Sequence, residues 1–437
     1  MSPSDPRPPS PDRLVQARVE QVADDARLRR DLWGSKLTRR RVLAGMAGAA
    51  TASTAGQLVT TRASFAAQAA EGTLVVVFLR GGMDGLSAIV PADDPHLLEG
   101  RPNLAVRSQS LLPLARGFGL HPALAPLHDL WNRGQFTAVP AVSTPDISRS
   151  HFQAQDCLER GGATRGATEG WLDRVLDRLG PGTTFRSVGQ GFGMQRALSG
   201  DQPSISISEV AEFRIAGWEG IHDQTIEALS KLYTGVDPDL VHDVATTLGA
   251  LDTVENLAAE TAVATAGYPD SEFAKGLAEL ARLVKADTGM RVACIDLGGW
   301  DTHHYQGTVD NGLLKDQFTT LSEGLGAFAA DLGDKLSQVT VVVMTEFGRR
   351  IEENASAGTD HGHGAAVLLL GGGLKGGDIH GNWQGLAPEV RDQGDIPGSN
   401  DYRNVLGDVV TGRLGLTSAD MATVFPDHDF QPLGIMA

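Results

Sequence analysis

The stretch TLVVVFLRGG, residues 73–82, decides the fold class. It is a short, unbroken apolar run that ends in glycines, a pattern typical of a strand buried on both faces. Runs of the same character recur along the chain at residues 136–143, 204–210, 290–299, 338–348 and 365–373. The chain therefore contains the strands of a buried sheet.

Helical patterns separate several of these runs, most clearly at residues 271–287 and 313–336. Strands that alternate with helices predict an α/β fold, with a mostly parallel central sheet covered by helices on both faces. No repeat or flexible linker divides residues 71–437, so we expect a single domain there. The segment at about 211–268 is helical in character and is expected to form a cap or insertion.

The composition agrees with this fold class. The 437 residues include 53 glycines, and aromatic residues make up only 5%, which suits a compact α/β protein with many tight turns. Its two cysteines, Cys157 and Cys294, form no disulfide framework. Cys294 lies in an apolar run and is expected to be a small buried hydrophobe.

The N-terminal 70 residues predict an export leader rather than a folded part. Residues 1–36 are polar and charged, which predicts disorder or a frayed leader. The sequence TRRRVL, residues 38–43, followed by an Ala/Gly-rich stretch, is typical of a twin-arginine signal. That stretch is too polar for a stable membrane span. We expect export through the twin-arginine machinery to the periplasm, cell surface or medium.

The charge of the chain excludes one class of partner. Residues 1–66 hold 11 Lys+Arg and 6 Asp+Glu, so removing their net +5 takes the chain from −17 to −22. A nucleic-acid partner would need a basic stripe, and the sequence contains none. An acidic chain is compatible with a cation-dependent site.

Polar residues follow the predicted strands, where ligands of parallel sheets bind. The segments are RGGMDGLSA with Asp84, GGWDTHHYQ with Asp301, His303 and His304, TEFGRR with Glu346 and Arg349, TDHGHG with Asp360, His361 and His363, and KGGDIHGNW with Asp378 and His380. Each segment alone also fits a helix cap or a solvated turn. Their shared placement at one edge favours one or two divalent ions (Zn, Mn, Fe, Mg or Ca), and imidazole favours the transition metals.

Together, RGGMDGL, SRSHFQAQD, GGWDTHHYQ and TEFGRR with ENASAGTDHG resemble the exported bacterial family called domain of unknown function 1501. That family is similar in fold to sulfatases and alkaline phosphatases, which implies a three-layer sandwich and a metal site for a phosphate or sulfate ester. The resemblance implies one metal at Asp84, Asp360 and His361. It implies another at Asp301, His303 and a late histidine, for which His380 is the candidate.

The nucleophile stays open between several groups. Ser150 opens a helix where backbone N–H groups attract an anion, but Ser150 with Gln153 also fits a capping box. Ser148, Thr144 and a metal-bound water are alternatives. Arg149 and Arg349 are candidate anion clamps, and Arg149 equally fits a surface ion pair.

Two segments differ from the sulfatase pattern. Glu346 occupies the strand end where the Asp-His pair is expected, so Glu346 is either a ligand or a residue that holds an imidazole. No Cys-x-Pro-Ser-Arg segment is present, which argues against ordinary sulfatase chemistry. His121 could line the pocket, although a capping or packed histidine fits equally.

Three functions are compatible with these patterns. The first is an exported metal-dependent hydrolase of a small anionic phosphate, sulfate or related ester. The second is a non-catalytic binding or cell-envelope scaffold protein with the same fold. The third is a metal-dependent oxidoreductase, which the absence of GxGxxG after the first strand and of a cysteine cluster disfavours.

Overall fold

The computed structural model describes residues 72–162, 168–191, 193–210 and 267–437. The predicted leader at 1–70 lies outside these residues, and so does almost all of the predicted insertion at 211–268. Among the described residues no helix is long and apolar enough to cross a membrane.

Thirteen strands and nine α-helices make up the described part of the chain. The strands are β1 Thr73–Leu79, β2 Ile89–Pro91, β3 Leu112–Pro113, β4 Phe118–Leu120, β5 Phe136–Ser143, β6 Ser187–Gln190, β7 Ile205–Ile207, β8 Val292–Leu297, β9 Val339–Thr345, β10 Arg349–Glu353, β11 Thr359–His361, β12 Ala365–Gly371 and β13 Asn400–Asp401. The helices are α1 Gly85–Ala88, α2 Pro95–Gly100, α3 Ala125–Asn132, α4 His151–Glu159, α5 Trp171–Leu179, α6 Glu272–Lys285, α7 Leu313–Leu332, α8 Tyr402–Leu414 and α9 Met421–Val424. Short 3-10 helices span Ser108–Ser110, Pro122–Leu124, Arg196–Leu198, Gly333–Gln338, Pro388–Val390 and Ser418–Asp420.

Eight strands form the central sheet in the order β13-β5-β12-β9-β1-β8-β6-β7. All neighbouring pairs are parallel except those of β12, which runs antiparallel to β5 and β9. The predicted fold class, a mostly parallel sheet in an α/β protein, is therefore confirmed. β2, β3 and β4 form a small antiparallel sheet, and β10 pairs with β11.

Helices cover both faces of the sheet because the central strands are apolar on both sides. In β1, Val75 and Val77 pack with the helices α3, α6 and α7, whereas Leu74 and Val76 pack with α5, α8 and α9. Every residue of β1 is buried, as the continuous apolar run predicted. Burying each such side chain contributes roughly 1.5–3 kcal/mol, so β1 stabilises the packing of the helices on both faces of the sheet.

The direction of β12 corrects one sequence expectation. Leu368 pairs with Val343 and Gly371 pairs with Thr340, so β12 starts where β9 ends. Residues just before β12 therefore lie at the carboxyl edge of the parallel strands, and residues after β12 lie at the opposite edge. The sequence places Asp378 and His380, which follow the sixth apolar run, at the shared edge. The reversal of β12 puts them toward the opposite edge instead.

Candidate metal centre

Four side chains meet beyond the carboxyl ends of the parallel strands. Nε2 of His361 lies 3.1 Å from Oδ1 of Asp301, and Nε2 of His303 lies 3.2 Å from the same oxygen. The Nε2 atoms of His303 and His361 are 2.9 Å apart. Nε2 of His151 lies 3.6 Å from Oδ2 of Asp301. We call these four residues the His/Asp cluster.

The topology of the sheet brings the cluster together. Asp301 and His303 lie in the loop after β8, and His151 is the first residue of α4, which follows β5. His361 ends β11, shortly before β12 begins. Because β12 is antiparallel, the residues that precede it reach the same edge as the residues that follow β5 and β8.

Each histidine of the cluster is held by its other ring nitrogen. The three Nδ1 atoms all contact oxygen atoms that can only accept: Arg149 O at 2.9 Å from His361, Glu346 Oε1 at 2.8 Å from His151, and Asp360 Oδ1 at 3.1 Å from His303. Metal-binding histidines in proteins usually have such a partner, which fixes both the tautomer and the ring orientation.

These contacts place a proton on Nδ1 and leave a lone pair on Nε2 of each neutral ring. The lone pairs of His303 and His361 then face each other and the carboxylate of Asp301 at 2.9 to 3.2 Å. Nε2 of His151 is buried and has no hydrogen-bond partner among the described residues. Such a set of facing acceptors requires a shared cation, either a proton or a metal ion. His151, Asp301 and His361 can each offer one ligand atom within 4.8 Å of the others, so the residues fit a metal.

Charges around the cluster keep its carboxylate ionised. Burial raises the pKa of Asp301, but its contacts with the Arg349 guanidinium and with His361 outweigh burial and lower that pKa to about 2. The hydrogen bond to Glu346 raises the pKa of His151, whereas burial lowers the pKa of His361. Asp301 is thus a permanent negative charge among the imidazoles.

Glu346 orients the cluster and is not one of its members. Its side chain is almost fully buried, and Oε1 accepts from the Gly81 N–H, from His151 and from Gln155. Burial raises the pKa of Glu346, but the bonds from His151 and Gln155 leave it below the usual value. Glu346 therefore contacts the imidazole of His151 at Nδ1 and makes no contact with the facing Nε2 atoms.

Arg349 is buried and joins loops, so it is not placed to clamp a substrate anion. Its guanidinium donates to the carbonyls of Gly81, Gly82, Trp300 and Thr359, and to Oδ1 of Asp301 at 2.8 Å. These bonds connect the ends of β1 and β8 with β11. Arg349 therefore fixes where Asp301 stands.

The structure does not bring Asp84 into the cluster. Its carboxylate is fully buried and pairs with Arg101, with Nη1 at 2.6 Å and Nη2 at 3.1 Å. Ser87 and Gln306 each donate to Oδ2 at 2.7 Å. Both oxygens are occupied by buried donors, which explains why this acid after β1 is an internal ion pair.

His380 also lies apart from the cluster. It follows the antiparallel strand β12, so it stands toward the opposite edge of the sheet. Its backbone N–H donates to the carbonyl of Ala138, and Nε2 lies 2.9 Å from the carbonyl of Lys375. Asp360 is close to the cluster, but its contact is with Nδ1 of His303 rather than with the facing nitrogens.

The two residues before α4, Arg149 and Ser150, have different outcomes. The guanidinium of Arg149 forms an ion pair with the buried Asp395, the alternative that the sequence left open, and its backbone carbonyl orients His361. Ser150 is the N-cap residue of α4, but its side chain makes no capping bond, so the capping box with Gln153 is not formed. The hydroxyl of Ser150 is consequently not used by the helix.

The other candidate residues have local partners. Ser148 Oγ bonds to Asp146, and Thr144 Oγ1 accepts from the Asp146 N–H. His121 is buried and caps a 3-10 helix by accepting from the Ala123 N–H, as one of its two interpretations predicted. Cys294 is buried, as expected.

His151 is the ligand candidate that the sequence interpretation missed. The segment SRSHFQAQD predicts a role for Ser150 but does not by itself indicate the adjacent His151. Its position after the run at 136–143 was an available signal, because that run is a parallel strand whose carboxyl end meets those of β1 and β8.

The fold and the cluster define an α/β protein with a candidate metal centre at the carboxyl edge of its sheet. The chain belongs to the family described as "Protein of unknown function (DUF1501)", whose family model matches residues 132–397. The matched segment runs from the end of α3 past β12 and includes the whole His/Asp cluster. The resemblance drawn from the motifs is therefore confirmed for the family.

Two solved structures are similar to the chain at low identity. One is the lipoteichoic acid synthase LtaP from Listeria monocytogenes, with 10% identity and a TM-score of 0.34, covering 82% of this chain and 76% of that one. The other is alkaline phosphatase from the Antarctic bacterium TAB5, with 9% identity and a TM-score of 0.26, covering 69% of this chain and 92% of that one. No curated protein matches the chain. These similarities carry no argument about its activity.

Proposed function

We propose that this protein is an exported metal-dependent hydrolase that acts on a phosphate, sulfate or related ester. The observation that carries the proposal is the His/Asp cluster, in which Nε2 atoms and an ionised carboxylate face one another with every Nδ1 held by an acceptor. The resemblance in fold that the motifs imply to sulfatases and alkaline phosphatases supports the ester class.

The donor atoms select among the possible cations. Imidazole nitrogens with one carboxylate suit Zn, Mn or Fe, whereas Mg and Ca prefer oxygen ligands. Within the described ranges one group of three such donors, His151, Asp301 and His361, lies within 4.8 Å. We propose a single ion held by these three, with His303, whose Nε2 lies 2.9 Å from that of His361, as a fourth ligand. When bound, such an ion polarises a phosphoryl or sulfuryl oxygen and lowers the pKa of a water.

The residues around the ion position it and the substrate. Glu346, Asp360 and the Arg149 carbonyl hold the three rings, and Arg349 holds Asp301. The backbone N–H groups at the start of α4, beside Ser150 and His151, favour an anionic group of the substrate. Because both candidate arginines are engaged elsewhere, the metal would supply the main positive charge. Ser150, whose hydroxyl the helix leaves unused, is the side-chain nucleophile we favour over Ser148 and Thr144, and water is its alternative.

Export through the twin-arginine pathway belongs to the same proposal. Its support is the motif at residues 38–43 with the Ala/Gly-rich stretch that follows. This pathway moves folded proteins, so the metal centre can assemble before export.

Ester hydrolysis by the metal-loaded protein tests the proposal. We expect turnover of aryl phosphates or aryl sulfates that depends on Zn, Mn or Fe and falls by about 100-fold or more in Asp301→Asn. Asp378→Asn, outside the cluster, is the matched control and should keep full activity. A wild type that binds metal but turns over no ester would contradict the hydrolase and favour the envelope scaffold protein.

A further inference from the structure

A four-residue turn between β12 and β13 places a carboxylate inside the protein. The turn is DQGD, residues 392–395, and the N–H group of each of its two aspartates donates to the carbonyl of the other, at 3.0 and 2.9 Å. The central residues Gln393 and Gly394 have φ values of 51° and 90°, and positive φ at both positions is what a type I′ turn requires. Asp392 is exposed, whereas Asp395 is fully buried. The turn thus directs one of its two carboxylates into the interior.

The buried carboxylate of Asp395 depends on arginine partners. Nη2 of Arg149 forms an ion pair with Oδ2, and Nε of Arg350 lies 3.6 Å from Oδ1. Burial raises the pKa of Asp395, and the two guanidinium groups oppose that rise. A buried carboxylate that loses its cation is left as an uncompensated charge, which is strongly unfavourable. Asp395 therefore binds the side chain of Arg149 firmly to the turn.

Arg149 has a backbone conformation that a residue with a side chain does not favour. Its φ is 55°, in the left-handed region, where the Cβ atom crowds the following carbonyl. In this conformation the Arg149 carbonyl lies 2.9 Å from Nδ1 of His361. One local bond spans the residue, from the Ser150 N–H to Oγ of Ser148 at 3.1 Å. The ion pair with Asp395 adds an anchor from a segment 246 residues away in the chain.

We propose that Asp395 is a positioning residue of the metal centre. Its ion pair keeps Arg149 in the left-handed conformation, and the Arg149 carbonyl then accepts from Nδ1 of His361. This bond turns Nε2 of His361 toward the carboxylate of Asp301, at 3.1 Å. Asp395 acts through Arg149 and is not itself a ligand. The inference rests on the metal centre of the proposed function, but not on ester hydrolysis.

The Zn²⁺ affinity of the full-length protein, measured by competition with a chromophoric chelator, tests this role. Asp395→Asn removes the charge that holds Arg149 and nearly keeps the side-chain volume. We expect the affinity to fall by about tenfold, the lower end of the effect of groups that orient metal ligands, because Asp395 acts through a second residue. Asp392→Asn makes the same charge change in the same turn, at an exposed position. This matched control should stay within about twofold of the wild type, because solvent and salt screen an exposed charge.

Two double variants separate the backbone conformation of residue 149 from the charges of the ion pair. Glycine adopts the left-handed conformation without steric cost, so its carbonyl does not depend on the ion pair. We expect Arg149→Gly/Asp395→Asn to bind Zn²⁺ within about threefold of the wild type. Arg149→Ala/Asp395→Asn carries the same charges but keeps a Cβ atom. It should bind at least about fivefold more weakly than the glycine variant, because the left-handed conformation is unfavourable for alanine.

The outcomes separate this inference from the proposed hydrolase. Equal Zn²⁺ affinity in the two double variants, or equal losses in Asp395→Asn and Asp392→Asn, overturns the positioning role and leaves the hydrolase standing. The expected order of affinities in a protein that hydrolyses no ester supports the positioning role and contradicts the hydrolase. A wild type that binds no Zn²⁺ overturns both. If Asp395→Asn does not fold, the two double variants decide alone, because neither contains a partner of the ion pair.

Discussion

At the residue scale, the partner of a side chain decides its role more than its type does. Asp84 and Asp301 both follow parallel strands, but Arg101 occupies both oxygens of Asp84. The carboxylate of Asp301 instead faces imidazoles, with Oδ1 toward His303 and His361 and Oδ2 toward His151. The sequence predicts Asp301, His303 and His361 at one edge of the sheet, although the family resemblance implies that His361 binds a different metal from the other two. The sequence did not predict the ion pair of Asp84, because nothing in the residues around Arg101 indicates that its guanidinium contacts this carboxylate.

Replacing Asp360 tests how strongly the hydrogen-bond partner of a metal-binding histidine affects metal affinity. It accepts from Nδ1 of His303 and makes no contact with the facing nitrogens. We expect Asp360→Ala to weaken metal affinity by about 10- to 100-fold without abolishing binding, because such partners orient a ligand. Competition with a chelator measures the affinity. Asp378→Ala, an exposed aspartate after β12, is the control, and an equal loss in both variants would remove the assigned role of Asp360.

His121 gives a prediction about acid stability. Burial lowers its pKa to about 4, whereas an unfolded histidine titrates near 6.5. Between these values the unfolded chain binds more protons, so the free energy of unfolding falls as the pH falls from about 6.5 to 4, by up to about 3 kcal/mol. His121→Asn keeps a capping acceptor for the Ala123 N–H and should lose less stability over this range. Urea unfolding at pH 7 and pH 4.5 measures the free energy of unfolding of both proteins. An identical loss in the wild type and in His121→Asn would contradict the claim that His121 causes the acid sensitivity.

At the scale of the elements, β12 explains what the sequence could and could not predict. The apolar runs of β1, β5, β8, β9 and β12 were recognisable because each is buried on both faces. A run buried on both faces carries no alternation that would reveal its direction, so the reversal of β12 was not predictable. That reversal moved His380 away from the site and brought His361 to it. The strand β6, Ser187–Gln190, was missed because its sequence SVGQ has little apolar character.

Arg349 joins several of these elements, so replacing it should destabilise the protein. Arg349→Met would remove one donor each from Asp301 and from four backbone carbonyls, of which that of Trp300 keeps a bond from the Thr302 N–H. We expect the free energy of unfolding to fall by about 3 kcal/mol or more, since buried acceptors lose their partner. Urea unfolding measures the change. The exposed Arg133→Met should stay within about 0.5 kcal/mol of the wild type, and a similar small effect in Arg349→Met would show that these bonds do not stabilise the loops.

At the scale of the whole molecule, the residues of the candidate metal centre lie at one edge of the sheet. The start of α4 after β5, the loop after β8 and the residues before β12 supply the cluster. The α/β class and the use of this edge followed from strand and helix alternation. Which residues meet there depended on the direction of a single strand and on contacts between segments distant in sequence.

Metal content tests the central claim most directly. Elemental analysis of the purified wild type, His361→Ala and His380→Ala compares a cluster histidine with one at the opposite edge of the sheet. We expect about one Zn, Mn or Fe per chain in the wild type and in His380→Ala, and a large loss in His361→Ala. A wild type that holds no metal after incubation with these ions, or a loss in His380→Ala equal to that in His361→Ala, would contradict the metal centre.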